Sequence, residues 1–336
     1  MLNLDSSLTV VVVLVLLALA FDFMNGFHDA ANSIATVVST RVLKPHQAVI
    51  WAAVFNVIAI MVFGTTVAAT VGKGIVDPGV VDFHIVFGAL IGAIAWNIIT
   101  WYYGIPSSSS HALIGGLLGS ALIKSGPGAM IWGGIGKTVL FIFLAPLLGF
   151  LLGGFLMVGV SWLCNDMAPR RADKIFRRLQ LLSAAAYSLG HGGNDAQKTI
   201  GIIWMLLIAA GIEKSGTSEP PTWVIFGCYT AMGLGTMFGG WRIVKTMGQR
   251  ITKLNQARGF CANSGGAITL FVATAFGIPV STTHTITGAI AGVGATRGPK
   301  NVRWGVAGGI AWAWILTIPA TALISAIAWL IGGLLF

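Results

Sequence analysis

Charged residues are scarce in this chain. They make up 9% of its 336 residues, whereas hydrophobic residues make up 56%. Ordinary soluble domains carry roughly 25% charged residues, and a soluble chain of this length could not keep so much apolar surface away from water. The scarcity of charge therefore excludes an ordinary soluble globular class and favours a protein that lies in a membrane.

Cysteine and recognisable enzyme motifs are also in short supply. The three cysteines, Cys164, Cys228 and Cys261, lack metal-ligand spacing and cannot all pair, so we expect them to be structural. The chain has no GxxxxGKS/T loop, which argues against ATP-driven transport, and no GxSxG elbow, which argues against a serine hydrolase. The net charge of +10 is interpreted as a basic cytoplasmic face rather than as a nucleic-acid site.

Long apolar runs are present instead. A helix needs about 20 mostly apolar residues to cross the hydrocarbon core of a bilayer. The clearest runs are 8–21, 47–69, 83–103, 130–163 and 304–336. We predict an all-α, polytopic transmembrane bundle in the cell (inner) membrane.

Two polar motifs each occur twice. GFHDAANSI begins at Gly26 and GGNDAQKTI at Gly192, while GIPSSSSH ends at His111 and GIPVSTTH at His284. Polar motifs at matched points of two apolar halves are typical of transporters whose binding site lies where internal repeats meet. We predict an N-terminal repeat (1–163), a short basic linker (164–179) and a C-terminal repeat (180–336), with broken or re-entrant helices.

Loop charge predicts the orientation of these repeats. Cytoplasmic loops carry an excess of Lys and Arg. Matching loops of the two halves have opposite bias, which indicates inverted topology and places both termini outside. The basic segments are 41–46, 164–179, 242–258 and 297–303, and the neutral or acidic ones are 72–82 and 213–221.

Asp29 and Asp195 occupy matched positions in apolar surroundings. A carboxylate inside a membrane is costly unless it faces a cavity or a partner, so both are candidate ligands of a coupling cation; a structural pair near a helix end is the alternative. Nearby amide and hydroxyl oxygens are hard ligands that suit Na⁺, Mg²⁺ or a proton. The glycines of both motifs predict a bend or break there. The accompanying candidate ligands are Asn25, Asn32, Ser33 and Thr199.

The proline and hydroxyl motifs predict two helix starts. Pro106 and Pro279 each precede a hydroxyl run and an apolar helix. A helix N-terminus presents free N–H groups and partial positive charge, which bind anions; simple capping is the alternative. Lys198 either contacts the anion or balances Asp195. The candidate anion ligands are Ser108, Ser109, Ser110, Ser281, Thr282, Thr283, Asn194 and Lys198.

Four histidines accompany these motifs. His28 and His191 flank the aspartate motifs, and His111 and His284 end the hydroxyl motifs. They are either proton carriers or satisfied core histidines.

With four motifs in this order, the chain resembles the inorganic phosphate transporters of the Pit type, above all the bacterial low-affinity branch. The family signature GxNDxAN is matched by GFHDAANS and GGNDAQKT, and G-(L/I/M)-P-x-S-x-T-H by GIPSSSSH and GIPVSTTH. The resemblance implies a homodimeric phosphate symporter that is not an enzyme and has no cofactor. It implies cation coupling at Asp29 and Asp195 with Asn32 and Asn194 beside them, and anion binding by Ser109, Ser110, Thr282 and Thr283.

The chain departs from the family pattern at three positions. His28 stands where Asn is usual, and Asn56 and Asn263 stand where sodium-coupled relatives carry Glu. An amide neither takes up a proton nor supplies a full charge, so we favour coupling to protons over sodium. The resemblance also leaves open transport of a complex with Mg²⁺ or another divalent metal. A carrier for another oxyanion, such as sulfate, is the alternative function.

The predicted orientation is tested by a reporter enzyme that is active only in the periplasm. Fused after Lys174, it should be inactive, because the basic segment 164–179 is predicted in the cytoplasm. The same reporter fused after Gly216 should be active. Activity after Lys174 would overturn the orientation.

Overall fold

The computed structural model describes residues 4–214 and 216–335, and side chains within 8–214 and 216–334. This part of the chain is nearly all helical, which confirms the all-α prediction. The helices are α1 (Leu4–Ser39), α2 (Pro45–Ile58), α3 (Thr66–Gly74), α4 (Phe83–Tyr103), α5 (Ser109–Ser125), α6 (Trp132–Leu163), α7 (Pro169–Ala209), α8 (Thr222–Phe238), α9 (Trp241–Lys245), α10 (Gln256–Ala275), α11 (Thr282–Ala295) and α12 (Trp304–Leu335).

Four of these helices are long and apolar enough to cross a membrane: α1, α4, α6 and α12. The predicted span 47–69 is not continuous, because α2 with its short extension and α3 meet at an angle of 83°. The break is stabilised from within the bundle, where the Gln197 side chain accepts hydrogen bonds from the backbone N–H groups of Val67 and Ala68 in the first turn of α3. A side chain of α7 thus satisfies a helix start that has no water available.

The expectation that α1 and α7 break at their motif glycines is wrong, since both helices continue through these residues. The glycines allow close helix crossings instead. A Cβ atom at Gly26 would collide with the backbone of Met232 in α8, and one at Gly192 with the backbone of Asn56 in α2. Small residues at such crossings let helix backbones approach each other in membrane bundles.

Two helical hairpins turn back inside the bundle. Gly104, with φ +67°, ends α4 before Pro106, and Gly277, with φ +66°, follows α10 before Pro279. Lys124 at the end of α5 contacts the Val80 carbonyl near the start of α4. The tip residues at the start of α5 and of α11 are buried, so each hairpin has its tip in the interior of the protein.

Each half packs its last long helix against the hairpin of the other half. α6 lies against α10 and α11, and α12 lies against α4 and α5. Glycines make both contacts close: Gly119 abuts the backbone of Ala322, and Gly292 abuts that of Phe150. Interior prolines, Pro146 and Pro319, occur in both exchanged helices.

The segments predicted to be cytoplasmic lie together on one face. Arg177 donates to the carbonyl of Arg41 at 3.1 Å, and the N–H of Arg303 donates to Ile251 at 2.9 Å. At another part of the surface, Lys73 donates to the carbonyl of Thr217 at 3.2 Å. Much of the predicted linker 164–179 is helical, since α7 begins at Pro169, a residue suited to the first turn of a helix.

Replacing a crossing glycine tests the packing. Gly26→Ala should lower the unfolding free energy by about 1–3 kcal/mol, because its Cβ atom meets backbone that cannot rotate away. Gly159→Ala is the matched control within a helix, since nothing lies within 4 Å of its Cβ position. Thermal unfolding in detergent measures both; equal midpoints would contradict this role.

Candidate functional site

The duplicated motifs converge on one buried cluster. Asp29 and Asp195 are 2% and 0% exposed. Ser109 Oγ at the tip of the first hairpin donates to Asp29 Oδ1 at 3.3 Å, and Thr282 Oγ1 at the tip of the second donates to Asp195 Oδ2 at 3.0 Å. The cluster therefore joins α1, α7 and both hairpin tips.

Two of the predicted hydroxyl ligands act as helix caps. Ser108 Oγ accepts from the backbone N–H of His111, and Ser281 Oγ accepts from that of His284, both at 3.2 Å. The matched caps hold α5 and α11 with their N-termini directed at the cluster. The remaining hydroxyls of the motifs are left to contact the aspartates and their neighbours.

Helices α1 and α7 each contact the hairpin tip of the other half through a matched residue. Asn32 Nδ2 donates to Thr282 Oγ1 at 3.1 Å and Thr283 Oγ1 at 2.9 Å. Lys198, at the position that matches Asn32, contacts Ser110 Oγ of the first tip. Both halves therefore contribute to each side of the cluster.

Lys198 is fully engaged. Its Nζ lies 2.5 Å from Asp195 Oδ1 and from Ser110 Oγ, and donates to the Val280 carbonyl at 2.7 Å. A lysine ammonium has three N–H donors, so none is left for a ligand in this arrangement. In this arrangement Lys198 pairs with Asp195.

The four predicted histidines divide into two groups. His28 Nδ1 lies 2.6 Å from Asp29 Oδ1, and His191 Nε2 lies 3.3 Å from Asp195 Oδ2. The other two rings, His111 and His284, contact each other with centroids 4.8 Å apart. Each central aspartate therefore has one histidine partner, and the second histidine pair forms a separate layer.

Three of these groups are close enough to share an ion. Asp29, His191 and Asp195 each offer one ligand atom, and these atoms lie within 4.8 Å of one another. Two carboxylates and an imidazole can take up protons or bind a divalent cation. Counting Lys198, the cluster carries a net charge of about −1 when both aspartates are ionised and the histidines are neutral.

Several predicted ligands lie beside the cluster rather than in it. Asn194 Nδ2 donates to Thr274 Oγ1 at 3.0 Å, and its Oδ1 accepts from Val280 N at 3.2 Å, so it fixes the second hairpin. Ser33 Oγ lies 3.4 Å from His191 Nδ1. Asn25 and Thr199 surround a different carboxylate, that of Asp22.

Asp22 was not identified from the sequence. It is fully buried in α1, seven residues before Asp29, and Ser188 stands at its matched position in the second half. Because the search relied on repetition, an acid without a counterpart escaped it. Its place within the apolar segment FDFMNG was the available signal.

The amides at the two departures from the family pattern also contact this region. Asn56 Oδ1 lies 3.2 Å from His191 Nδ1, and Asn263 Oδ1 accepts from Thr36 Oγ1 at 2.9 Å. Both are completely buried. They extend the hydrogen-bond network without adding charge.

Breaking the central ion pair tests its contribution to stability. Lys198→Met should cost about 3–5 kcal/mol, because it leaves Asp195 buried without its cation. The double variant Lys198→Met/Asp195→Asn should recover much of this loss, since it buries no uncompensated charge. Thermal unfolding measures the cycle, with the exposed Lys214→Met as control. Additive losses would contradict the pairing.

Comparison with known proteins places the chain in a family. The model of the phosphate transporter family matches residues 25–325. A protein of Rhizobium meliloti (strain 1021), named probable low-affinity inorganic phosphate transporter, is 59% identical over 321 residues, 96% of each chain. A protein of Bacillus subtilis (strain 168) with the same name is 47% identical, over 99% of this chain and 100% of the relative.

A solved structure has the same fold. The structure named "The sodium-dependent phosphate transporter" superposes with a TM-score of 0.87 at 26% identity, over 98% of this chain and 100% of the other. The resemblance to Pit-type transporters is confirmed, and so is the prediction of a membrane transporter rather than an enzyme. Because these matches extend over nearly the whole sequence, the chain belongs to the phosphate transporter family.

Proposed function

We propose that this protein carries inorganic phosphate across the membrane by symport with a cation, and that the cation is the proton. One observation carries the proposal: two capped helix N-termini, from opposite halves, meet at a pair of buried aspartates. Thr282 of α11 and Ser110 of α5 both contact Asp195, at 3.0 and 3.5 Å. The candidate anion site, at the helix N-termini, thus adjoins the candidate cation site, at the aspartates.

The two helix N-termini supply the anion site. Unpaired N–H groups and the partial positive charge at a helix start attract a small oxyanion. The hydroxyls of Ser109, Ser110 and Thr282 add donors that need only rotate away from their present acceptors, and the Thr283 hydroxyl lies beside them. Hydroxyl donors of this kind fit the several oxygens of phosphate.

Charge balance supplies the reason for symport. Phosphate brings one to two negative charges to a cluster that already carries about −1, and like charges repel strongly at low dielectric. The repulsion falls if Asp29 and Asp195 take up protons or bind a cation. Anion binding is then strong only when the cation is present, which couples the two movements.

The imidazoles beside the two aspartates favour protons as the coupling cation. His28 and His191 stand at 2.6 and 3.3 Å from the two carboxylates, so each half has an acid–imidazole pair able to hold a proton. The positions of the two missing glutamates hold the neutral Asn56 and Asn263. Fewer carboxylates means weaker binding of a metal cation, which must be paired with negative charge.

Phosphate suits this site better than sulfate does. At neutral pH phosphate keeps a proton that it can donate to a carboxylate, whereas sulfate has none. Asp29 and Asp195 next to the hydroxyls would accept such a bond and would repel sulfate. A mixed complex with Mg²⁺ would satisfy the same carboxylates, so Mg²⁺ is a variable of the test.

Alternating access follows from the arrangement of the halves. We infer inverted repeats from the matched hairpins and from the exchange of α6 and α12. The basic face would lie in the cytoplasm and both termini outside. Rocking one hairpin unit against the other would expose the shared site to each side in turn. A homodimer stays a prediction from the family resemblance.

Uptake of labelled phosphate into proteoliposomes tests the proposal. With pH and sodium gradients imposed separately, and with or without Mg²⁺, an inward proton gradient should drive accumulation above equilibrium. Tenfold excess sulfate should compete weakly. Accumulation driven by sodium alone would contradict proton coupling, and the absence of phosphate uptake under every gradient would contradict the function.

Variants of the aspartates locate the coupling within this experiment. Asp29→Asn and Asp195→Asn should each lower gradient-driven uptake at least about 100-fold, because an amide cannot take up the proton. Asp166→Asn, an identical change at an exposed position, is the matched control. Gel filtration confirms folding of each variant. Near-normal uptake by either central variant would remove its coupling role.

A further inference from the structure

A second buried carboxylate lies outside the central cluster. Asp22 is on α1, seven residues or about 10 Å before Asp29 along the helix axis, and is completely buried. It forms no salt bridge among the described residues. Lys198 is electrostatically attracted to Asp22. Its three N–H donors, however, already bind Asp195, Ser110 and the Val280 carbonyl.

Most polar neighbours of Asp22 have an oxygen without a hydrogen-bond partner. The side chains of Asn25, Thr199 and Cys228 lie beside Asp22. Tyr229, the residue after Cys228 on α8, interacts electrostatically with Asp22. Neither Asp22 oxygen has a hydrogen-bond partner among the described residues, nor do Asn25 Oδ1, Thr199 Oγ1 and Tyr229 Oη. All of these side chains are at least 97% buried.

Such a set of unpartnered oxygens is costly without a ligand. Buried polar atoms are normally hydrogen-bonded, and a buried charge is normally paired. Thr199 and Asn25 lie within interaction range of the Asp22 carboxylate, yet neither oxygen of Asp22 has a hydrogen-bond partner of normal geometry among the described residues. Carboxylate, amide and hydroxyl oxygens gathered at one buried place are the ligands that a hard cation prefers.

We propose that Asp22, Asn25, Thr199 and Tyr229 form a binding site for one Na⁺ ion, separate from the central cluster. One carboxylate charge balances one monovalent ion, whereas a divalent ion would leave an excess positive charge buried. The ligands are carboxylate, amide and hydroxyl oxygens, which suit a hard cation. No histidine nitrogen is among them, which disfavours a transition metal.

A surface cleft shares Tyr229 with this site. The cleft is lined by Phe63, Thr65, Thr222 and Tyr229 and also contains the exposed Glu219. The Glu219 carboxylate attracts cations to the cleft, and Tyr229, which is 2% exposed, both lines the cleft and interacts electrostatically with Asp22.

The site is not duplicated, which separates its role from that of the central aspartates. Ser188 stands where the second half would carry the equivalent acid, and its hydroxyl has no partner among the described residues. The bound ion would neutralise Asp22 between α1, α7 and α8. It would stabilise that three-helix junction without entering the proton path proposed above.

Ion-dependent thermal unfolding tests the site without any transport assay. Protein in detergent, free of phosphate and at constant ionic strength, is compared in NaCl, KCl and choline chloride. For the wild type, 150 mM Na⁺ should raise Tm by about 3 °C or more over choline, because a ligand that binds only the folded state stabilises it. K⁺ should raise it less. Equal Tm in all three salts would overturn the proposal.

Variants assign the effect to Asp22 rather than to the central cluster. Asp29→Asn, which removes a central ligand, should keep the response to Na⁺, whereas Asp29→Asn/Asp22→Asn should lose it. Asp22→Asn should raise Tm in choline, since it removes an unpaired buried charge. A Na⁺ response retained by the double variant would contradict the site.

Thr199→Val is a variant that should fold normally, because it keeps the shape of the side chain and removes only one ligand oxygen. The Na⁺ concentration that gives half the Tm shift should rise at least about fivefold, as expected for one lost ligand contact. Ser188→Ala, at the matched position of the other half, should leave that concentration unchanged. The opposite ranking of these two variants would overturn the assignment. The result is independent of phosphate uptake, so failure of one proposal leaves the other standing.

Discussion

The structure depends on one constraint: a chain that turns back inside the bundle of a membrane protein must satisfy its own backbone. The hydrocarbon core offers no water to hydrogen-bond free N–H and C=O groups. Both hairpins end in the interior, so their tips need partners from the protein. Ser108 and Ser281 cap the two helix starts, Asn194 accepts from Val280 N, and Lys198 donates to the Val280 carbonyl.

The same requirement creates the site. A helix start inside a membrane carries partial positive charge and donors with few local acceptors. The carboxylates of Asp29 and Asp195 accept hydrogen bonds from the tip hydroxyls of Ser109 and Thr282. The aspartates then need compensation of their own, from His28, His191 and Lys198. A bound anion can replace the carboxylates as acceptor of the hydroxyl hydrogen bonds, and a bound cation can pair with the carboxylates. The contacts that stabilise the tips can therefore also bind ligands.

Sequence reasoning relied on what the chain repeats. The paired motifs predicted that α1, α7 and both tips would meet, because equal residues at matched places are hard to explain separately. Asp22 has no matched counterpart and was missed, whereas Lys198 was identified but its partners needed coordinates. Hydropathy also gave no indication that α7 runs for 41 residues, because polar residues in its middle, such as Asn194, Asp195 and Lys198, are buried inside the bundle.

The glycines show why part of the fold could not be predicted from the sequence. A glycine permits either a positive φ angle or a close helix contact, and the sequence alone does not distinguish the two uses. Gly104 and Gly277 have positive φ, at +67° and +66°, and turn the hairpins. Gly26 and Gly192 lie in unbroken helices, where the backbone of another helix takes the space of a side chain. The exchange of α6 and α12 was likewise hidden, since sequence order suggests contacts within each half.

The two kinds of contact in the bundle differ in how readily they can change. α5 meets α12 and α11 meets α6 through glycines packed on backbone, as at Gly119 on Ala322 and Gly292 on Phe150. Close-packed backbone does not deform gradually, so each hairpin and its exchanged helix form a firm unit. The contacts of Asn32 with Thr283 and of Lys198 with Ser110 join α1 and α7 to these units through side chains that can rotate. Because these hydrogen bonds lie at the cluster itself, binding there competes directly with the contacts that hold α1 and α7 to the hairpin tips.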